Sequence, residues 1–198
     1  INLTDILYAR KFGYKLKLLS ISEIKMNKLF ERVHPCLISN NSHLSNIDGV
    51  LNAVVIEGLP VGKSVLQGEG AGPGPTSSAL ISDLCSVLRG NIKYPFGISS
   101  KSRKPIAKFD VLLHISSSYF RIEVKDLPGV LSSITKNFAN NKISIKNLIQ
   151  NPDKKNKKAS IIIITHKNLE KNYKNLFLDL IKNKFVLRRP TFIRIENV

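Results

Sequence analysis

Three features of the sequence predict an α+β fold in two parts. Residues 119–195 run in the order strand, helix, strand, strand, helix, strand; residues 52–88 read as a hairpin leading into a helix; and a polar, turn-rich passage separates the two. With 198 residues, 42% of them hydrophobic, the chain can bury the core of one ordinary domain or two small ones.

Taken in order, residues 3–12 predict a helix. Leu3, Ile6, Leu7 and Ala9 give the apolar spacing, Thr4-Asp5 lies near the start and Gly13 marks the stop. Tyr14, Leu16 and Leu18 alternate with Lys15 and Lys17, which predicts a strand with one wet face over 15–20. Residues 29–39 read as a further strand, broken by Pro35, and strands over 52–56 and 61–67 flank the turn Gly58-Leu59-Pro60. A glycine-rich passage from Gly68 to Pro75 then opens a helix to Leu88. Thr76 or Ser77 is expected to cap it, its apolar face is Ala79, Leu80, Leu84, Val87 and Leu88, and Gly90 ends it.

The next stretch holds Pro95, Gly97, Ser99, Ser100 and Pro105 with little periodicity, as expected of a linker, although 109–115 could form an edge strand within it. Beyond it come strands over 119–124, 143–150, 159–166 and 185–195 and helices over 130–140 and 169–183. This βαββαβ order is the ferredoxin-like arrangement, in which both helices cover one face of a four-stranded sheet. The open face and edges of such a sheet invite a partner, usually a second copy. The expected division is therefore residues 1–92, a linker over 93–117, and a domain over 118–198.

Composition excludes several classes. The longest β-branched block, Ile161 to Ile164, has the length of a strand, far short of the roughly 20 apolar residues of a membrane span. Cys36 and Cys85 stand apart, with no Cys/His cluster near either, so neither a disulfide framework nor a metal site is expected, and both should be reduced thiols of a cytoplasmic protein. Net charge is +17, with 10 basic and 7 acidic side chains in residues 1–100 and 21 and 7 in the rest. The densest run, Lys154 to Lys158, has no aromatic interleaving, which argues against nucleic-acid binding and for a solvated turn.

The last part is identified as a member of the ACT family by Tyr119-Phe120-Arg121-Ile122-Glu123-Val124-Lys125-Asp126-Leu127-Pro128-Gly129-Val130-Leu131, with Ile143-Ser144-Ile145 and Gln150 where that family has them. Pro128 sets a turn, Gly129 lets backbone approach a ligand, and the N–H groups of Val130 and Leu131 start a helix whose positive end suits a carboxylate. Asp126, Pro128, Gly129, Val130 and Leu131 are thus the candidate effector site.

Residues 1 to about 90 resemble the catalytic domain of homoserine dehydrogenases. The matching strings are Asp5-Ile6 with Ala9, Gly13-Tyr14-Lys15-Leu16-Lys17-Leu18-Leu19, Arg32-Val33-His34-Pro35, Gly49-Val50-Leu51-Asn52-Ala53-Val54, and Gly68-Glu69-Gly70-Ala71-Gly72 with Pro75-Thr76. The resemblance implies a mixed-sheet catalytic and dimerisation domain fragment followed by the ACT domain. It also implies an oxidoreductase that interconverts L-homoserine and L-aspartate 4-semialdehyde with NADP or NAD, under feedback from an amino acid, threonine first.

In that family the glycine loop lies against cofactor and substrate, so Gly72, with Gly70 and Ala71 beside it, is the expected cofactor contact. The glycines follow a hairpin strand, outside any dinucleotide-binding βαβ fingerprint. The family's proton-donating lysine and its dinucleotide-binding domain lie upstream of the segment that matches Ile1. No catalytic residue is therefore assigned here, His34 included, and the isolated chain is expected to be inactive. The alternative is a stand-alone ACT-type amino-acid sensor without catalysis.

Overall fold

The computed structural model describes residues 1–91, 97–153 and 155–198. Pro95 of the expected linker and Lys154 of the basic run lie outside the described residues. The chain forms two compact units, one of residues 1–42 with 107–198 and the other of residues 43–106. The first forty residues are therefore built into the same body as the ACT segment, a partition that composition alone does not indicate.

In the larger unit, helix α1 (Leu3–Lys11) starts in a reciprocal cap. The Asn2 side chain accepts from the Asp5 N–H, and the Asp5 carboxylate accepts from the Asn2 N–H at 2.8 Å. Strands β1 (Tyr14–Lys25) and β2 (Lys28–Ser39) form an antiparallel hairpin, paired from Tyr14 opposite Ser39 to Lys25 opposite Lys28. Both residues of its turn, Met26 and Asn27, have positive φ, as a two-residue hairpin loop of the favoured hand requires. β2 runs unbroken through Pro35, contrary to the sequence expectation. Its other neighbour pairs only from Cys36 onward, and a proline is tolerated where a strand has one partner.

Residues 109–115 are not an edge strand. The Asp110 carboxylate accepts from the Leu112 N–H at 3.0 Å and turns Val111–Leu113 into a single 3-10 turn. Residues just before it line the hairpin, since the Leu29 N–H donates to the Ala107 carbonyl and the Phe109 N–H to that of Leu29, each at 2.8 Å.

The expected βαββαβ order follows, as the strand β5 (Ile115–Lys125), helix α3 (Val130–Asn140), strands β6 (Ile145–Asp153) and β7 (Lys158–Thr165), a two-residue strand β8 (Asn168–Leu169), helix α4 (Glu170–Lys182) and strand β9 (Thr191–Glu196). The last strand is shorter than expected. Phe185 and Leu187 are tied to β5 by backbone hydrogen bonds, but pairing in register resumes only after Pro190, at Thr191.

The sheet order is β1-β2-β9-β5-β7-β6, with β8 beside the start of β5. One face packs Phe120, Ile122, Val124, Ile161 and Ile163 against Ile134 and Phe138 of α3 and Leu176 and Leu180 of α4. The opposite face is closed, not open as expected, because Tyr8 and Ala9 of α1 pack on Tyr119, Ile162, Ile164 and Ile193. Burial on both sides explains why Ile161 to Ile164 is apolar at every position. The outer strands of this sheet are β1 and β6.

In the smaller unit, strands β3 (Leu51–Gly58) and β4 (Gly62–Glu69) pair as the expected hairpin and lead to helix α2 (Pro73–Leu88). None of the α2 side chains is buried, and Leu80, Ile81, Leu84, Val87 and Leu88 are all exposed. Among the described residues no helix is long and apolar enough to cross a membrane.

Candidate functional site

Gly70, Ala71 and Gly72 form the exposed connection from β4 to α2. A Cβ on Gly70 would fall 1.4 Å from Asn52 Nδ2, so the absent side chain makes room for Asn52 rather than for a ligand. The Gly70 N–H donates to the Val50 carbonyl at 3.0 Å, which ties the loop to the start of β3. Gly72 has φ of 120°, a backbone conformation that disfavours any residue with a side chain. The helix starts earlier than expected, with Gly72 as its N-cap, Pro73 in its first turn and no side-chain cap; Ser77 Oγ donates back to the Gly74 carbonyl at 3.0 Å instead. Pro73 and Pro75 carry no N–H and the Thr76 N–H donates to the Gly72 carbonyl, so few donors remain for a phosphate at this end.

The proposed effector residues lie in the other unit, at the far end of β5. Gly129 has φ of 82°, the left-handed conformation, and is the N-cap of α3; its carbonyl accepts from the Ser133 N–H at 3.0 Å. Val130 is buried in the core while Pro128 and Gly129 are exposed, and the Asp126 N–H is held by the Lys157 carbonyl at 3.1 Å. The Asp126 carboxylate forms no ion pair among the described residues and stands half-buried beside the helix start. The Val130 N–H, expected to face a carboxylate, donates instead to the Leu127 carbonyl at 3.3 Å, so the loop presents exposed backbone at a helix start with one of its two expected donors taken.

Two buried polar clusters were not legible as such in the sequence. In the first, Asp5 accepts from the Tyr119 hydroxyl at 3.0 Å and from Arg121 Nε at 2.7 Å, and Arg121 also reaches Glu123 at 2.9 Å and Thr191 Oγ1 at 2.9 Å. Burial alone would raise the Asp5 carboxyl pKa, yet the Arg121 and Tyr119 hydrogen bonds and the Asn2 cap together hold it below its ordinary value. The second centres on Glu196. It accepts from Arg32 Nε at 3.0 Å and Nη2 at 2.9 Å and pairs with His34 Nε2 at 3.1 Å. Against the upward push of burial, these partners pull the Glu196 pKa down to about 2.

Burial, followed by the Glu196 charge, pushes the neighbouring Cys36 thiol up to about 12, which leaves it protonated and unreactive. The signal for the second cluster was the period of two in Phe30, Arg32, His34 and Cys36, which places all four on one face of β2. His34 is held there against the Glu196 carboxylate. Among the described residues no three His, Cys, Asp or Glu side chains group as a metal site.

The homoserine dehydrogenase family profile matches residues 1–85 and the ACT domain profile residues 118–177. A homoserine dehydrogenase of Helicobacter pylori is 36% identical over 98% of this chain and 45% of its own length, and one of Neisseria gonorrhoeae is 34% identical over 98% and 46%. The solved structure of a homoserine dehydrogenase from Thiobacillus denitrificans superposes with a TM-score of 0.84 at 32% identity, over 98% of this chain and 45% of that one. The chain spans just under half the length of the curated relatives it matches. By these matches residues 1–85 belong to the homoserine dehydrogenase family and residues 118–177 to the ACT family.

Proposed function

We propose that this chain is the part of a cytoplasmic, NAD(P)-dependent homoserine dehydrogenase that carries the substrate-side glycine loop and an ACT domain responsive to threonine. The reaction is the interconversion of L-homoserine and L-aspartate 4-semialdehyde in the biosynthesis of threonine, methionine and isoleucine. The observation that carries this reading is the match over 98% of the chain, through hairpin, glycine loop and ACT segment alike, to relatives of that name.

A nicotinamide cofactor, when bound, exchanges hydride with the carbon that alternates between alcohol and aldehyde. The residues present fit one edge of such a cofactor. Ala71 and Gly72 offer exposed backbone with no bulky side chain in front of it, while Gly70 is committed to Asn52 and acts by holding the loop. The proton donor and the groups that fix the dinucleotide are expected from a nucleotide-binding domain, so the 198-residue chain by itself is assigned no turnover. A second copy is the proposed partner at the outer strand β6.

At the ACT loop, the Val130 N–H is taken by the Leu127 carbonyl at 3.3 Å, so the N–H groups of the first turn of α3 beyond it receive the effector carboxylate and Asp126 receives its ammonium. Isothermal titration of the chain with L-threonine is expected to show saturable binding, and Asp126→Ala to weaken it by about tenfold or more, the loss of one charge-assisted contact. Gly129→Leu should weaken it too while costing the fold only about 1–2 kcal/mol for a side chain in the left-handed region. Equal threonine affinity in both variants and the parent removes the effector site from this loop. Homoserine-dependent reduction of NADP by the chain alone refutes the assignment of no turnover. Threonine binding by the chain with no binding of NADP or NAD supports the stand-alone sensor instead.

A further inference from the structure

We propose that His114 is a proton-operated latch, which holds the tip of the β1–β2 hairpin against residues 107–114 while its ring is neutral and releases it when the ring takes up a proton. Residues 107–114 are the segment through which the chain passes from the smaller unit into β5. They meet the hairpin at two backbone bonds, from the Leu29 N–H to the Ala107 carbonyl and from the Phe109 N–H to the Leu29 carbonyl. They also meet it at Phe30, on which the rings of Phe109 and His114 pack with centroids 5.2 and 4.9 Å away. Phe30 and His114 are each only 4% exposed.

A polar contact fixes the charge of the ring. Lys25 Nζ, at the end of β1, lies 3.2 Å from His114 Nδ1. An ammonium can only donate, so Nδ1 accepts and the proton of the neutral ring sits on Nε2. A second proton would sit on Nδ1 and point at the ammonium, so that repulsion replaces the hydrogen bond. Nε2 offers no compensation in place, because it has no hydrogen-bond partner and the Glu196 oxygen it faces is 4.0 Å away.

Around His114 stand Glu23 and Lys25 of β1, Arg32 of β2, Glu196 of β9, Glu170 of α4 and Lys167 just before β8. Their carboxylates are already matched by cations. Glu23 takes Lys25 at 3.1 Å and Arg32 Nη1 at 2.6 Å, Glu196 takes Arg32 and His34, and Glu170 takes Arg194. An imidazolium would therefore add a buried charge with no acceptor of its own. Burial first, then Lys25 and Arg32, hold the His114 pKa below its ordinary 6.5, against the smaller pull of Glu196 and Glu170. The folded value is depressed, so the latch is fully closed above about 6.5 and weakens as pH falls from there toward the folded value.

The test is NMR of the 198-residue chain from about pH 8 to about pH 5, the span in which histidine titrates. The readouts are the His114 ring protons and the hydrogen-exchange protection of the Leu29 and Phe109 amides, taken relative to unstructured amides at each pH. His114 is expected to titrate below 6.5. Protection at both amides should fall by about tenfold per pH unit between 6.5 and that midpoint, one proton being taken up per opening. Both amides should be less protected throughout than that of Ile162 in β7, which marks the release as local. In His114→Gln, neutral at every pH, the fall should vanish, which also separates this response from those of His34, His43 and His166. In Lys25→Met the His114 midpoint should rise, a like charge having gone. The proposal is overturned by a His114 midpoint at or above 6.5, or by one that Lys25→Met leaves unmoved. It is equally overturned by protection that ignores pH in the parent chain, by a fall that persists in His114→Gln, or by Leu29 and Phe109 exchanging only together with Ile162.

Discussion

Asp5→Ala is expected to lower the free energy of unfolding of the larger unit by about 3–5 kcal/mol, the cost of breaking a buried ion pair from one side. The Asp5 side chain is fully enclosed, and Arg121 is only 10% exposed. Without the carboxylate, a guanidinium and the Tyr119 hydroxyl remain in the sheet face under α1, and the Asn2 N–H loses its cap. Glu123 still faces Arg121 at 2.9 Å, which softens the loss without replacing the bidentate contact. Urea unfolding followed by circular dichroism measures the change. Replacing both partners, with Asp5→Leu and Arg121→Met, should recover much of it, because the apolar pair carries no desolvation penalty. A loss below about 1 kcal/mol in Asp5→Ala would mean that the pair contributes no more than an exposed one.

The second large effect is a pH window set by Glu196. Its carboxyl is held near 2 in the folded protein against an ordinary value of 4.5. The folded value is depressed, so the stabilisation is complete above about 4.5 and is lost as pH falls toward about 2. The size is roughly 3 kcal/mol, from about 1.4 kcal/mol per unit. Unfolding free energies measured at intervals through this window should fall steeply in the parent chain. In Glu196→Gln the Glu196 share of that slope should vanish, and the variant should be less stable at neutral pH because Arg32 and His34 lose their charged acceptor. A slope that the substitution does not alter would show that Glu196 titrates normally.

Where local pattern decides structure, the sequence was easy to read. The alternation in β5, the helical spacing of Val130, Ile134 and Phe138, and the turn at Gly58-Leu59-Pro60 each answer to forces within a few residues. The misreadings were tertiary. Pro35 looked like a break because the sequence does not say that β2 has a neighbour on one side only over that stretch. Residues 109–115 looked extended because nothing in their spacing shows the Asp110 carboxylate closing a turn. The sheet face expected to be open is covered by α1, more than a hundred residues upstream. The same blindness hid the polar clusters, since Asp5 and Glu196 meet their partners only after distant strands align. Among the candidate site residues, the glycine loop was legible as special, but its geometry revealed that Gly70 serves Asn52.

The parallel pairing of Cys36, Leu37 and Ile38 with Arg194, Ile195 and Glu196 joins β2 to β9. Arg32 and Glu196, which meet beside that seam, are 164 residues apart in the sequence. Such a contact closes a loop of 164 residues, and its entropy must be met before the seam rewards it. On the ribosome, β1 and β2 must wait without this neighbour until residues 191–196 have emerged. The hairpin therefore spends synthesis with one edge uncovered, and removal of residues 191–198 should unsettle residues 28–39, far away in the sequence, together with β5.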